Sequence, residues 1–262
     1  MKRLLATLMI AFSAFLPAAA QREDGRQVFL CFENGVGIGS YRDLGASPLI
    51  YRGYELSPSL SVGIHTPAWQ FRPSISLLGG YYGYTLRIPS LHAWGGHLSL
   101  GFEALRSLSS SGPWHLWAGL KAESLFDIRY NPQLSNASVG MSGFSSLQLT
   151  ASVQYRLPRW LFSGQLWLAP VSLMLRPGFS YINNYDREIA NPLAAAFDQY
   201  GVYPAVLTGL STRLCATLLL SRGNRLGLSY DWCYRTSRVA EVSPWRFQQS
   251  SHRLTLHFQY SL

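Results

Sequence analysis

The 262 residues carry 22 lysines and arginines against 13 aspartates and glutamates, a formal net charge of +9, yet only 13% are charged and 14% are aromatic. A typical soluble domain is about 25% charged, and no run of 18 or more apolar residues follows the first twenty positions. A helical membrane domain is thereby excluded from the body of the chain, and the low charge speaks against an ordinary soluble surface.

Residues 1–20 read as a secretory signal. Lys2 and Arg3 precede the mostly apolar Leu4 to Leu16, and Pro17 leads into Ala18-Ala19-Ala20, the small-residue pattern that a signal peptidase cuts. Cleavage before Gln21 leaves 21–262 as a single barrel domain and lowers the surplus charge to about +7. No cysteine follows the cut, so membrane attachment must come from the folded chain itself. Cys31, Cys215 and Cys233 are odd in number and at no metal-ligand spacing, which predicts no metal and at least one free, buried thiol.

Alternation of apolar and polar residues predicts strands near 28–40, 53–65, 69–85, 92–107, 113–129, 143–157, 160–176, 204–221, 224–235 and 250–262. In 54–65 the apolar set is Tyr54, Leu56, Leu60, Val62 and Ile64. In 114–128 it includes Trp114, Leu116, Leu120, Phe126 and Ile128, opposite Lys121, Glu123 and Asp127. The last strand is the clearest: Leu254, Leu256, Phe258, Tyr260 and Leu262 share one face, while Thr255, His257, Gln259 and Ser261 share the other. Periodicity alone fits a soluble sandwich or a membrane barrel. Segment length decides, because most strands have the nine or more residues of a tilted crossing, whereas soluble strands average about five or six. Links around 66–68, 108–112, 158–159 and 222–223 are tight, while 41–52, 130–142, 177–203 and 236–249 are long, and 86–91 is a shorter member of the long set. The expected fold is an all-β, antiparallel transmembrane barrel of about ten strands, with eight or twelve as the alternatives, short periplasmic turns and longer extracellular loops.

The terminal strand, ending in Tyr260-Ser261-Leu262, resembles the insertion signal of outer-membrane proteins, with Leu262 where a Phe is usual. Gln21 after the cut and SPLIYRG at Ser47 to Gly53 are similar to a family of uncharacterised outer-membrane barrels of Bacteroidota. The resemblance implies location and fold, with outer-membrane lipid, lipopolysaccharide and the outer-membrane assembly machinery as partners. It brings no activity and no cofactor.

Strong catalytic motifs are absent: there is no phosphate-binding loop, zincin helix, Cys-x-x-Cys pair or Gly-x-Ser-x-Gly elbow. Nothing resembles a nucleic-acid module. Gly35-x-Gly37-x-Gly39 lacks the helix of a nucleotide loop and reads as glycines facing a crowded lumen. His97 and Ser99, two apart on one strand, point to the same side, so the imidazole could activate the hydroxyl. The pair resembles the His-x-Ser of outer-membrane phospholipases and lipid A deacylases, but Leu98, Leu100 and Phe102 claim the lipid face and turn it inward. Glu33, Glu55, Arg72, Glu103, Lys121, Glu123, Asp127, Arg156, Arg213, Asp231, Arg235 and Arg253 all fall on predicted interior faces. In a narrow barrel such side chains cross and pair. The expected role is a noncatalytic, plugged outer-membrane barrel with a structural or surface-binding function. A narrow channel comes second, and a lipid hydrolase using His97 and Ser99 third. Asn191-Pro192 before Leu193 to Phe197 predicts a short helix in the longest loop.

Overall fold

The computed structural model describes residues 26–43, 47–84, 92–132, 139–177, 200–238 and 246–262. The predicted signal and the helix expected at 191–197 lie outside the described residues. Ten strands run in chain order: β1 (Gln27–Asp43), β2 (Ser47–His65), β3 (Trp69–Tyr84), β4 (His92–Ser111), β5 (Trp114–Tyr130), β6 (Val139–Arg156), β7 (Trp160–Pro177), β8 (Tyr200–Leu219), β9 (Arg225–Arg238) and β10 (Arg246–Ser261). Each pairs antiparallel with its chain neighbour, and β1 pairs with β10 from Phe29↔Ser261 to Asp43↔Phe247, which closes the barrel. The fold class and the count of ten agree with the alternation in the sequence.

The strands run further into the long links than expected, from 130–142 to 131–138 and from 236–249 to 239–245, and most of all in the first link. The link expected at 41–52 shrinks to 44–46, because β1 runs on to Asp43 and β2 begins at Ser47. Pro48 disguised that extension; as the second residue of its strand it removes a donor only where the ladder begins. At the opposite end the turns are tight. Thr66 Oγ1 accepts from the Trp69 amide at 2.9 Å, and Gly112 adopts φ +57° ahead of Pro113. A single 3-10 turn at Ser221–Gly223 joins β8 to β9, with Arg222 and Gly223 in the left-handed region.

Side chains alternate between a polar interior and an apolar outer face. Along β10, Leu254, Leu256 and Tyr260, with Leu262 just beyond it, are about half exposed and Phe258 somewhat less, while Ser251, Thr255 and His257 on the opposite phase are buried. Val28, Val62 and Ile64 keep the outward phase but bury one another, packed by Leu30 and Phe71. The phase flips once in β7: Trp167 and Ala169 point inward, the register shifts between Ala169 and Val171, and Ser172 and Met174 then point inward. Pro170 sits at that irregularity, which is where a sheet tolerates a residue with no amide hydrogen.

Two rows of aromatics lie on the outer face, one toward each end of the strands. Tyr54, Tyr81, Trp94 and Tyr130 are cross-strand neighbours on β2 to β5. Trp69, Phe71, Trp114, Tyr155, Trp160 and Phe162 lie toward the tight turns. Trp69 and Tyr81 are twelve residues apart on β3, about 40 Å along the strand and roughly 30 Å along the barrel axis at a tilt near 40°.

Some glycines mark close approach. A Cβ on Gly53 would lie 1.8 Å from the Tyr81 carbonyl oxygen of β3, and backbone cannot step aside as a side chain can. We expect Gly53→Ala to destabilise the barrel by about 1–3 kcal/mol, read as a lower urea midpoint of the folded gel band; an unchanged midpoint would show that the strands separate freely there.

Candidate functional site

The interior is crossed by charged side chains at successive levels. At the loop end, Arg129 of β5 bonds Asp127 on its own strand and reaches Asp43 of β1 at 3.2 Å. Its guanidinium lies between the rings of Tyr41, 4.7 Å away, and Phe247, 4.4 Å away. Tyr41 stacks on Tyr51 and meets Tyr82 edge-on, and Asn131 donates to the Tyr51 hydroxyl at 2.8 Å. This layer is the largest buried apolar cluster of the lumen among the described residues, joined by Ala93 and flanked by Leu49 and Phe144.

Below it, Glu55 is buried and accepts a 2.8 Å hydrogen bond from Tyr82. It fits because Gly39 on β1 has no side chain; a Cβ there would fall 1.8 Å from the carboxylate. Gly35 and Gly37 leave room in the same way for Thr255 and Arg253, so the three glycines do face a crowded lumen. Arg253 donates to Ser57 at 3.1 Å.

Mid-barrel, Glu123 gathers Lys121 at 2.9 Å, Gln148 at 2.9 Å, Ser99 at 3.1 Å and Arg235 at 3.3 Å, the last reaching from β9 to β5. Arg213 of β8 grips both Glu33 oxygens on β1 at 3.0 Å and donates its Nε to Asp231 of β9. Thr255 completes Asp231 at 2.7 Å. Glu103 binds Arg72 at 2.9 Å and accepts from Gln165 and Trp167 across the lumen at 2.8 and 2.7 Å. Bidentate and charge-assisted contacts of this kind are the strong class of hydrogen bond.

The charged residues expected inside thus separate into clusters rather than one crossing network: Arg213 belongs with Glu33 and Asp231, Lys121 and Arg235 belong with Glu123, Asp127 belongs with Arg129, and Glu55 meets a tyrosine. Arg156 is a correction. It keeps the inward phase of β6 but stands exposed at the strand's last residue, beside the tight turn and outside every ion pair among the described residues. Asp43 and Arg129 were missed, the first because it lies in the segment read as loop. Trp167, Gln148 and Gln165 were missed because neutral side chains carry no charge signal.

Among the described residues the lumen holds a cavity of about 140 Å³ around Glu33, Glu123 and Arg235 and another of about 100 Å³ around Cys215, His257 and Arg225. Both fall below the roughly 300–1,000 Å³ of ordinary ligand pockets. His97 and Ser99 are buried on the inner face, Ser99 is committed to Glu123, and no hydrogen bond joins the two among the described residues. All three cysteines are free, with Cys31 and Cys233 buried. Among the described residues no group of three or more His, Cys, Asp or Glu side chains is placed to hold a metal ion.

No family model matches the chain, and no curated protein is similar to it in sequence. Solved structures are similar in fold. The outer membrane protease OmpT from Escherichia coli superposes with a TM-score of 0.54 at 9% identity, over 91% of this chain and 97% of that one. This chain has the fold of outer-membrane β-barrels. The transport unit of the autotransporter AIDA-I from Escherichia coli matches at 0.43 and 10% identity over 93% of this chain and 92% of that one. The translocator domain of NalP from Neisseria meningitidis matches at 0.40 and 9%, over 98% and 96%. Identities this low carry the architecture and leave the role to the residues themselves.

Proposed function

We propose that the chain is an integral protein of the bacterial outer membrane whose barrel is plugged by its own side chains and serves a noncatalytic, structural or surface-binding role. The filled lumen carries this reading: charged and aromatic side chains from β1, β3, β4, β5, β7, β8 and β9 meet across it at successive levels. The outer face supports the location, since exposed Ile75 and Leu77 lie between Trp69 and Tyr81, and an apolar band about 25 Å tall between aromatic girdles suits a bilayer. The tight turns then face the periplasm and the loops face outward, in contact with lipopolysaccharide. Commitment of Ser99 to Glu123 speaks against a hydrolase.

The test pairs a gel with a bilayer. Unboiled protein in detergent should migrate apart from boiled protein, because a closed barrel has no free edge from which to unzip. The same protein in planar bilayers should conduct little, because paired side chains occupy the ion's path. Identical mobility would remove the membrane barrel, and a large steady conductance would remove the plug.

A further inference from the structure

The outer face carries an apolar groove of about 650 Å³ at the tight-turn half of β6 to β9. Gly164 of β7 and Ala216 of β8 form its floor, having almost no side chain, while Val153, Phe162, Leu214 and Leu228 stand around them as exposed walls. Trp114 and Tyr155, with rings 4.5 Å apart, bound it toward β5. Gly164 and Ala216 thus leave a depression between these walls in which an acyl chain can lie.

A second observation concerns charge. The tight-turn end presents Arg106, Arg156, Arg159 and Arg222, all exposed, whereas every described side-chain carboxylate lies on an inward position. Arg156 and Arg159 flank the turn joining β6 to β7, and Arg222 lies in the turn joining β8 to β9, the strands that build the groove. Arg159 is five residues from Gly164, about 16 Å along the strand and roughly 12 Å along the barrel axis. That is the span from a phospholipid's phosphate to the middle of its acyl chain, and Trp160 and Tyr155 stand between at the level where aromatics favour the interface.

We propose that this groove and the arginines beneath it form a binding site for an anionic glycerophospholipid of the periplasmic leaflet, an acyl chain lying over Gly164 and Ala216 and the headgroup phosphate held by Arg159 and Arg222. Guanidinium recognises phosphate through a planar, bidentate donor set, and juxtamembrane basic residues draw anionic lipid. The inference rests on the outer-membrane reading, which fixes which end meets that leaflet.

Native mass spectrometry of the detergent-solubilised full chain, titrated with phosphatidylglycerol or with phosphatidylcholine, tests it. The unmodified protein should retain one phosphatidylglycerol at least tenfold more tightly than phosphatidylcholine. Arg159→Gln with Arg222→Asn should bring the two lipids level, Asn being suited to the left-handed backbone at 222. Ala216→Phe, which fills the groove, should weaken both. Gel mobility before and after boiling, run on every sample, reports the barrel separately from the lipid. Variants that keep the folded band and retain phosphatidylglycerol like the unmodified protein would overturn the site, as would equal retention of the two lipids by the unmodified protein. A single band regardless of boiling in the unmodified protein would overturn the membrane reading and this site with it.

Discussion

Arg213→Ala should lower the barrel's stability against urea in lipid vesicles by about 3 kcal/mol, the low end of the cost of breaking a buried ion pair. Arg213 answers two carboxylates at once, and its side chain is 21% exposed against 13% for Glu33 and 9% for Asp231. Truncation leaves both acids facing each other in an interior with little water to solvate them. The adjoining polar cavity tempers the cost, which is why the low end applies. The decisive companion is a triple variant, Arg213→Met with Glu33→Gln and Asp231→Asn. Neutral partners of similar shape leave no charge stranded, so most of the lost stability should return. Equal instability of the single and triple variants would mean that packing volume, not charge, holds this level of the lumen together.

Leu254→Arg should prevent accumulation of folded protein in the outer membrane. Leu254 lies midway along the closing strand on the outward phase and is 54% exposed. An arginine there enters the apolar band at a cost of about 2–4 kcal/mol, on the strand that pairs with β1 to close the sheet. Deleting Tyr260 to Leu262 should do the same by another route, since it removes the pairings Leu30↔Tyr260 and Phe29↔Ser261 and the bond from the Leu262 amide to Val28. Leu254→Phe, conserving apolarity, should assemble normally. Normal amounts of heat-resistant Leu254→Arg would place that face in water and reverse the inside and outside of the barrel.

Much of the architecture was readable from period-two alternation because one face of each strand must be apolar and the other polar. Strand count, tight turns and the inward positions of Glu33, Glu123, Arg213 and Asp231 follow from that rule. Partner choice does not, since it depends on which strands stand opposite one another after closure: Glu33 and Arg213 are 180 residues apart. The Ala169 to Val171 irregularity reverses the phase within a continuous strand, so no single parity describes β7. Asp43 escaped because the segment around SPLIYRG, with its proline, looked like a loop, while β1 runs on to Asp43 and β2 begins at Ser47. Arg156 went the other way, carrying the right phase to the strand's last residue, where the side chain is exposed.

The capture of Glu33 has a consequence for the order of assembly. Arg213 and Asp231 sit on neighbouring strands and can pair as soon as β8 and β9 form their hairpin. Glu33, on the first strand, is brought to them only when β1 meets β10, and joining the chain's two extremes is the slowest kind of contact to make. The guanidinium therefore waits, already aimed, and takes hold after the seam has shut. An interaction made after the barrier slows reopening while leaving the rate of formation nearly untouched. The plug then works as a latch on the seam, and a cell would meet its loss as shortened persistence of finished barrels rather than as slower insertion.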